Sequence, residues 1–142
     1  METTKLIHGS EKVVETLGFW PGFHDAEVIS FSASPALPLD ANSPIANLVV
    51  RVRQYTEVGA GTADYELAIT KSILVNFNFG GISDISISEF NHQNVINSIK
   101  FTPIENGEMV VLIESIWGFG GKIKCSSVSV ESVQELPVVV RA

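Results

Sequence analysis

A histidine beside carboxylates is the first place in this chain to look for chemistry. His24-Asp25, with Glu27 two residues on, sets an imidazole next to two acids, the combination a general base needs. Local geometry argues against that use. In an extended segment adjacent side chains point to opposite faces, so His24 and Asp25 would not form a dyad. In a turn, Asp25 is better placed to accept backbone amides. The spacing predicts a structural polar corner, with no catalytic residue.

Other candidates are weaker. Asn91-His92-Gln93-Asn94 offers many hydrogen bonds but neither charge nor nucleophile, which suits loop fixing or recognition of a partner's backbone. No Gly-x-Ser-x-Gly elbow occurs. Gly118-Phe119-Gly120-Gly121 lacks the lysine and following helix of a phosphate loop. The single cysteine, Cys125, cannot form an internal disulfide, and with His8, His24 and His92 it makes no zinc motif. Cys125 lies on an apolar strand and reads as a small hydrophobe. Arg51 and Arg53 share the less apolar face of one strand, either as a solvated face or as a basic spot for a partner's carboxylates.

The elements that must position these residues are mostly strands. One helix is expected, capped by Ser10 and running through Glu11–Leu17, with Val13, Val14 and Leu17 as its apolar side and Gly18 as its left-handed stop. Pro21-Gly22 marks a turn surrounded by Phe19, Trp20 and Phe23. Residues 27–32 form a strand, followed by a loop over 33–46 that contains Pro35, Pro38 and Pro44.

Residues 47–56 alternate cleanly, and Gly59-Ala60-Gly61 turns the chain into 65–79. There Tyr65, Leu67, Ile69, Ile73, Val75, Phe77 and Phe79 share a face that only Lys71 interrupts, which a bulge or an edge would explain. A strand over 82–88 and one carrying Val95, Ile99 and Phe101 follow. Asn106-Gly107 is the best hairpin turn. Met109–Trp117, apolar on both faces, reads as central, and 122–131 reads as one strand with a phase slip at Ser126-Ser127. Phe77-Asn78-Phe79-Gly80-Gly81 and Trp117-Gly118-Phe119-Gly120-Gly121 echo each other as equivalent sheet corners.

Together these predict an α+β fold in a single domain, residues 1–142. Its sheet is mainly antiparallel, with the N-terminal helix packed on one face. At 142 residues and 45% hydrophobic, the chain can bury a core without metal or disulfide staples. A formal charge of −7 disfavours nucleic acid as a partner and either steers the chain toward a basic surface or simply keeps it soluble. No apolar run approaches the ~20 residues of a membrane span, and the N-terminus lacks a signal-peptide core, so a cytoplasmic location is expected.

Two stretches give the chain a resemblance. Trp20-Pro21-Gly22-Phe23-His24-Asp25-Ala26-Glu27-Val28 and Phe90-Asn91-His92-Gln93-Asn94-Val95-Ile96 are similar to motifs of the Imm50 type of bacterial immunity protein, dedicated inhibitors encoded beside polymorphic toxins. The resemblance implies a non-enzymatic protein without a cofactor, whose partner is a cognate toxin domain. Trp20, Phe23, His24, Asp25, Glu27, Asn91, Gln93, Asn94 and Trp117 are expected as structural or binding residues, with none catalytic. The alternative is a small-molecule-binding domain, with Trp20, Trp117 and Phe119 at the mouth of an apolar pocket.

Overall fold

The computed structural model describes residues 3–35 and 44–138. After a short 3-10 turn, Thr3–Leu6, comes β1 (Ile7–His8) and helix α1 (Ser10–Leu17). The strands that follow are β2 (Glu27–Ser34), β3 (Ile45–Val58), β4 (Glu66–Gly80), β5 (Asp84–Ser88), β6 (Val95–Pro103), β7 (Met109–Trp117), β8 (Gly120–Cys125) and β9 (Ser127–Leu136). The sheet order is β1-β9-β4-β3-β2-β6-β7-β8-β5. Every pairing is antiparallel except the two-residue parallel contact of β1 with β9. The α+β expectation therefore reduces to a mostly antiparallel sheet with one short helix.

The nine strands divide into two halves. β1-β9-β4-β3-β2 form one and β6-β7-β8-β5 the other, joined in the ladder by the single register pair Glu27↔Val95. The halves fold over one another around one apolar core. Phe77 on β4 meets Phe101 on β6 at 5.8 Å, and Phe31 on β2 meets Phe119, just before β8, at 5.5 Å. Leu48, Val50, Ile73, Val75, Val111 and Ile123 are fully buried between them. They sit at alternate positions, because a strand with one covered face buries every second side chain.

Helix α1 starts differently from its expected cap. Gly9 occupies the N-cap in a left-handed conformation with no side-chain bond, and Ser10 is already helical. Val13 and Leu17 enter the core, while Val14 points outward. Gly18 ends the helix as expected, at φ 92° with its N–H donating to Val14 O at 2.7 Å. Lys71 supplies a second stop: its Nζ donates to Thr16 O at 2.7 Å, placing a cation at the negative end of the helix. The lysine that interrupts the apolar face of β4 is thus a helix cap. The bulge beside it is real, with Gln54 opposite Lys71 and Tyr55 opposite Ile69, skipping Thr70.

The structure corrects several boundaries. The stretch 122–131 is two strands. Chain direction changes at Ser126, whose N–H donates to Gly80 O at 3.0 Å, and β9 crosses to the other half of the sheet. The phase slip is a change of layer, which no local signal specifies. Gly80-Gly81 also crosses between halves, whereas Gly118 turns a hairpin within one, so the two echoing corners are not equivalent. β7 is central in its half, yet Leu112 and Ile116 on its outer side remain exposed. Asn106-Gly107 does join β6 to β7, both residues having positive φ (66° and 73°). Residues 36–43 of the Pro-rich loop, including Pro38, lie outside the described residues.

Candidate functional site

The two motif stretches meet at the seam between the sheet halves. Val28 N–H donates to Asn94 O at 2.7 Å, Ile96 N–H to Ala26 O at 2.9 Å, and Asp25 N–H to Ile96 O at 3.0 Å. These three bonds flank the Glu27↔Val95 pair and carry the ladder from β2 into β6. The seam is short because Phe23 and Asp25 are both left-handed (φ 65° and 63°), which turns the chain sharply into β2. The turn therefore falls on Phe23–Ala26, closed by Ala26 N–H to Phe23 O at 3.1 Å, and not on Pro21-Gly22. Asp tolerates that conformation through its short polar side chain; Phe23 holds it because its ring is locked in the core.

Beneath the turn, Trp20 meets Phe23, Phe77 and Phe101 edge-on, at 5.5, 6.3 and 6.1 Å. Edge-to-face contacts of this kind add to the area they bury. They place Trp20 and Phe23 in the packing between the halves.

His24 and Asp25 are side by side after all. His24 Nε2 lies 3.5 Å from Asp25 Oδ2, with both side chains about two-thirds exposed (67% and 64%). The left-handed turn swings them to one side, which the extended-chain argument missed. His24 Nδ1 bonds to Asn97 Oδ1 at 3.0 Å on β6. Asp25 uses its own N–H at the seam and turns its carboxylate to His24 and solvent. Both side chains stand largely in solvent, which leaves the pair open to water.

Asn94 is the polar centre of the seam. It is 5% exposed, and its Oδ1 accepts from Asn91 N–H at 2.9 Å and from Phe119 N–H at 3.1 Å. Its Nδ2 donates to Asn91 O at 2.5 Å, and Asn91 Oδ1 accepts from Gln93 N–H at 2.9 Å. Gln93 contributes its main chain to this network. Gly118 lies against the same corner at φ 70°, where an added Cβ would come within 2.5 Å of Gln93 O and 2.6 Å of Asn94 Oδ1. The corner and the β7–β8 turn are therefore fastened by one buried amide.

On the outer side of the seam, Glu27 Oε1 meets Arg51 at 3.2 Å and Arg53 at 3.9 Å. The two arginines thus pair within the chain. Trp117, the partner of Val95 in the ladder, is 62% exposed beyond them. Phe119 is fully buried against Phe31 and Phe90, in a different ring cluster from Trp20. The three rings expected around a ligand mouth do not face one opening.

Sequence reasoning missed Asn97, the bulged residue that receives His24, and the role of Gly118. A signal for the first existed. The buried residues of β6 are Ile96, Ile99 and Phe101, and the three-residue step from 96 to 99 marks the bulge, so Val95 faces outward and not with Ile99. Cys125 is buried, and desolvation raises its thiol to about 11, leaving it protonated at neutral pH. Among the described residues, no three His, Cys, Asp or Glu side chains converge as metal ligands. No helix is long and apolar enough to cross a membrane.

Compared with known proteins, residues 9–136 match the model of a family described as Immunity protein 50, Imm50. No curated protein and no solved structure matches the chain.

Proposed function

The chain belongs to the Immunity protein 50 family, and from that premise we propose that it neutralises one cognate bacterial toxin by binding the toxin domain directly, without turning over a substrate. The observation that carries this reading is the extent of the family match, which runs through helix α1 and strands β2 to β9. The acid excess supports it: a charge of −7 attracts a basic protein surface at long range and speeds encounter. The exposed setting of His24 and Asp25 also supports it, since two largely solvated side chains make a poor catalytic centre.

On this reading the whole chain acts in the cytoplasm as one binding unit. Trp20, Phe23, His24, Asp25, Glu27, Asn91, Gln93 and Asn94 maintain the seam, and Trp117 is its exposed outer member. The test is co-purification of the full chain with the toxin domain encoded by the adjacent gene, together with protection of cells expressing that domain. The expected complex forms with an association rate that falls as salt rises, because screening shortens the field to about 8 Å near physiological ionic strength. Failure to bind or protect would overturn the proposal, and a salt-independent rate would remove its electrostatic part.

A further inference from the structure

The β3–β4 hairpin outruns the rest of its sheet. β2 pairs with β3 only as far as Arg51, and β9 pairs with β4 only as far as Ser72. Beyond those points the ladder from Gln54↔Lys71 to Val58↔Glu66 runs between two strands alone. Five residues of β3, 54–58, make an arm of roughly 17 Å at ~3.4 Å per residue. Two strands without a third neighbour are marginal on their own, yet this arm is organised to its tip. Thr62 N–H and Oγ1 both donate to Gly59 O, at 3.0 and 2.7 Å, and Asp64 N–H donates to Thr62 Oγ1 at 3.2 Å.

The arm is also chemically distinct. Tyr55, Val58, Tyr65 and Ile69 are between 38 and 50% exposed, and Tyr55 lies directly across from Ile69. Tyr65 Oη donates to Glu57 Oε1 at 3.4 Å, setting a carboxylate beside the phenols. Residues 54–70 contain Glu57, Asp64 and Glu66 and no Lys or Arg. Among the described residues none of these acids meets a cation, whereas Glu27, Glu108 and Glu114 all do. Exposed tyrosines on a preorganised acidic projection match the composition of binding hot spots.

We infer that this arm is the element that engages the toxin, inserting Tyr55, Tyr65 and Glu57 into a basic cleft of the toxin domain. The inference rests on the toxin-binding reading and adds the surface and its chemistry. Local charge of −3 beside large aromatic area suits a cleft lined by Lys and Arg, where the phenols gain cation–π and apolar contact.

The experiment measures binding of the full chain to the toxin domain from the adjacent gene, in an inactivated form. Tyr55→Ser with Tyr65→Ser should weaken affinity by at least about 100-fold. Glu57→Lys with Glu66→Lys should slow association about tenfold at low salt, while Glu11→Lys with Glu15→Lys on α1, an equal change in net charge, should slow it less than about threefold. The charge pair remains decisive if the tyrosine pair fails to fold. Hydrogen exchange should show residues 54–70 protected in the complex. Equal slowing by both charge pairs, or protection confined to the seam, overturns the arm as docking element. So does a wild-type dimer that the tyrosine pair makes monomeric while toxin affinity is unchanged. If the wild-type chain does not bind the toxin domain at all, the toxin-binding reading fails and the inference falls with it.

Discussion

The seam and the arm both set aromatic rings beside acids, and they use them in opposite ways. At the seam, Trp20 and Phe23 pack inward against Phe77, while Asn94 satisfies main-chain groups from two loops in the dry interior. In the arm, Tyr55 and Tyr65 remain half exposed and Glu57 bonds only to a phenol in solvent. The difference lies in what surrounds them. The seam has a second layer above it, so each polar group there must find a partner. The arm has run past the last neighbouring strand, so Tyr55, Glu57 and Tyr65 stand in solvent. The two stretches that carry the family likeness meet at the seam.

Breaking the seam should produce the largest effect. Gly118→Ala combines a left-handed backbone with a Cβ pressed on Gln93 O and Asn94 Oδ1, and should cost about 3–4 kcal/mol in urea denaturation. Cys125 gives an independent readout. With its thiol raised to about 11 by burial, it should react with a disulfide reagent at pH 8 at least about 100-fold more slowly than in the unfolded chain, and Gly118→Ala should shrink that ratio. Normal stability and an unreactive thiol in the variant would mean that the corner is not fastened as described.

Asn94→Ala should follow, at about 2–3 kcal/mol, because it strands the buried Phe119 amide and the main chain of Asn91. Removing Asp25 is a smaller matter than its motif suggests, since its carboxylate is largely solvated. The arm pair Tyr55→Ser with Tyr65→Ser should change stability by less than about 1 kcal/mol, and a larger loss would show that the arm belongs to the core after all.

The smallest effect concerns Glu114 on the outer side of β7. Its hydrogen bond to Lys100 at 2.7 Å, and then the lysine's charge, hold its carboxyl below the ordinary 4.5. A lowered value means that the contribution is present above the unfolded-state value and fades as pH falls through the folded one. Lys100→Met should move the Glu114 midpoint upward in an NMR titration and barely alter denaturation, because the pair is solvated. A marked loss of stability would mean that surface charge helps hold this half together.

What could be read from the chain without coordinates divides along the same lines. Local chemistry was legible: Gly18 ends the helix, Asn106-Gly107 turns the hairpin, and Leu48, Val50 and Val52 face inward. Decisions made over distance were not. Tyr65 and Ile69 continue the inward alternation of β4, because a period of two records which side a residue is on and not whether another layer lies above it. Ser126 is where the chain changes layers, and its neighbours show only a slipped phase. The partner of His24 was not legible, because the bulge that brings Asn97 within reach belongs to a strand seventy residues away. Lys71 looked like a flaw in an apolar face until α1 supplied the carbonyl it caps.

The route of the last strand has a consequence for how the molecule is made. β5 to β8 form a contiguous run, residues 84–125, and can assemble as a unit while the chain is still being synthesised. β4 cannot be completed in that way, because its second neighbour, β9, emerges last. At 5–20 residues per second, the ribosome leaves the apolar edge of β4 waiting for roughly 2–10 s. β1 waits longer still, since among the described strands it pairs with β9. Completion of this sheet therefore waits on β9, and a ribosome that stalls before residue 127 leaves a nascent chain with an open edge and a strong tendency to aggregate.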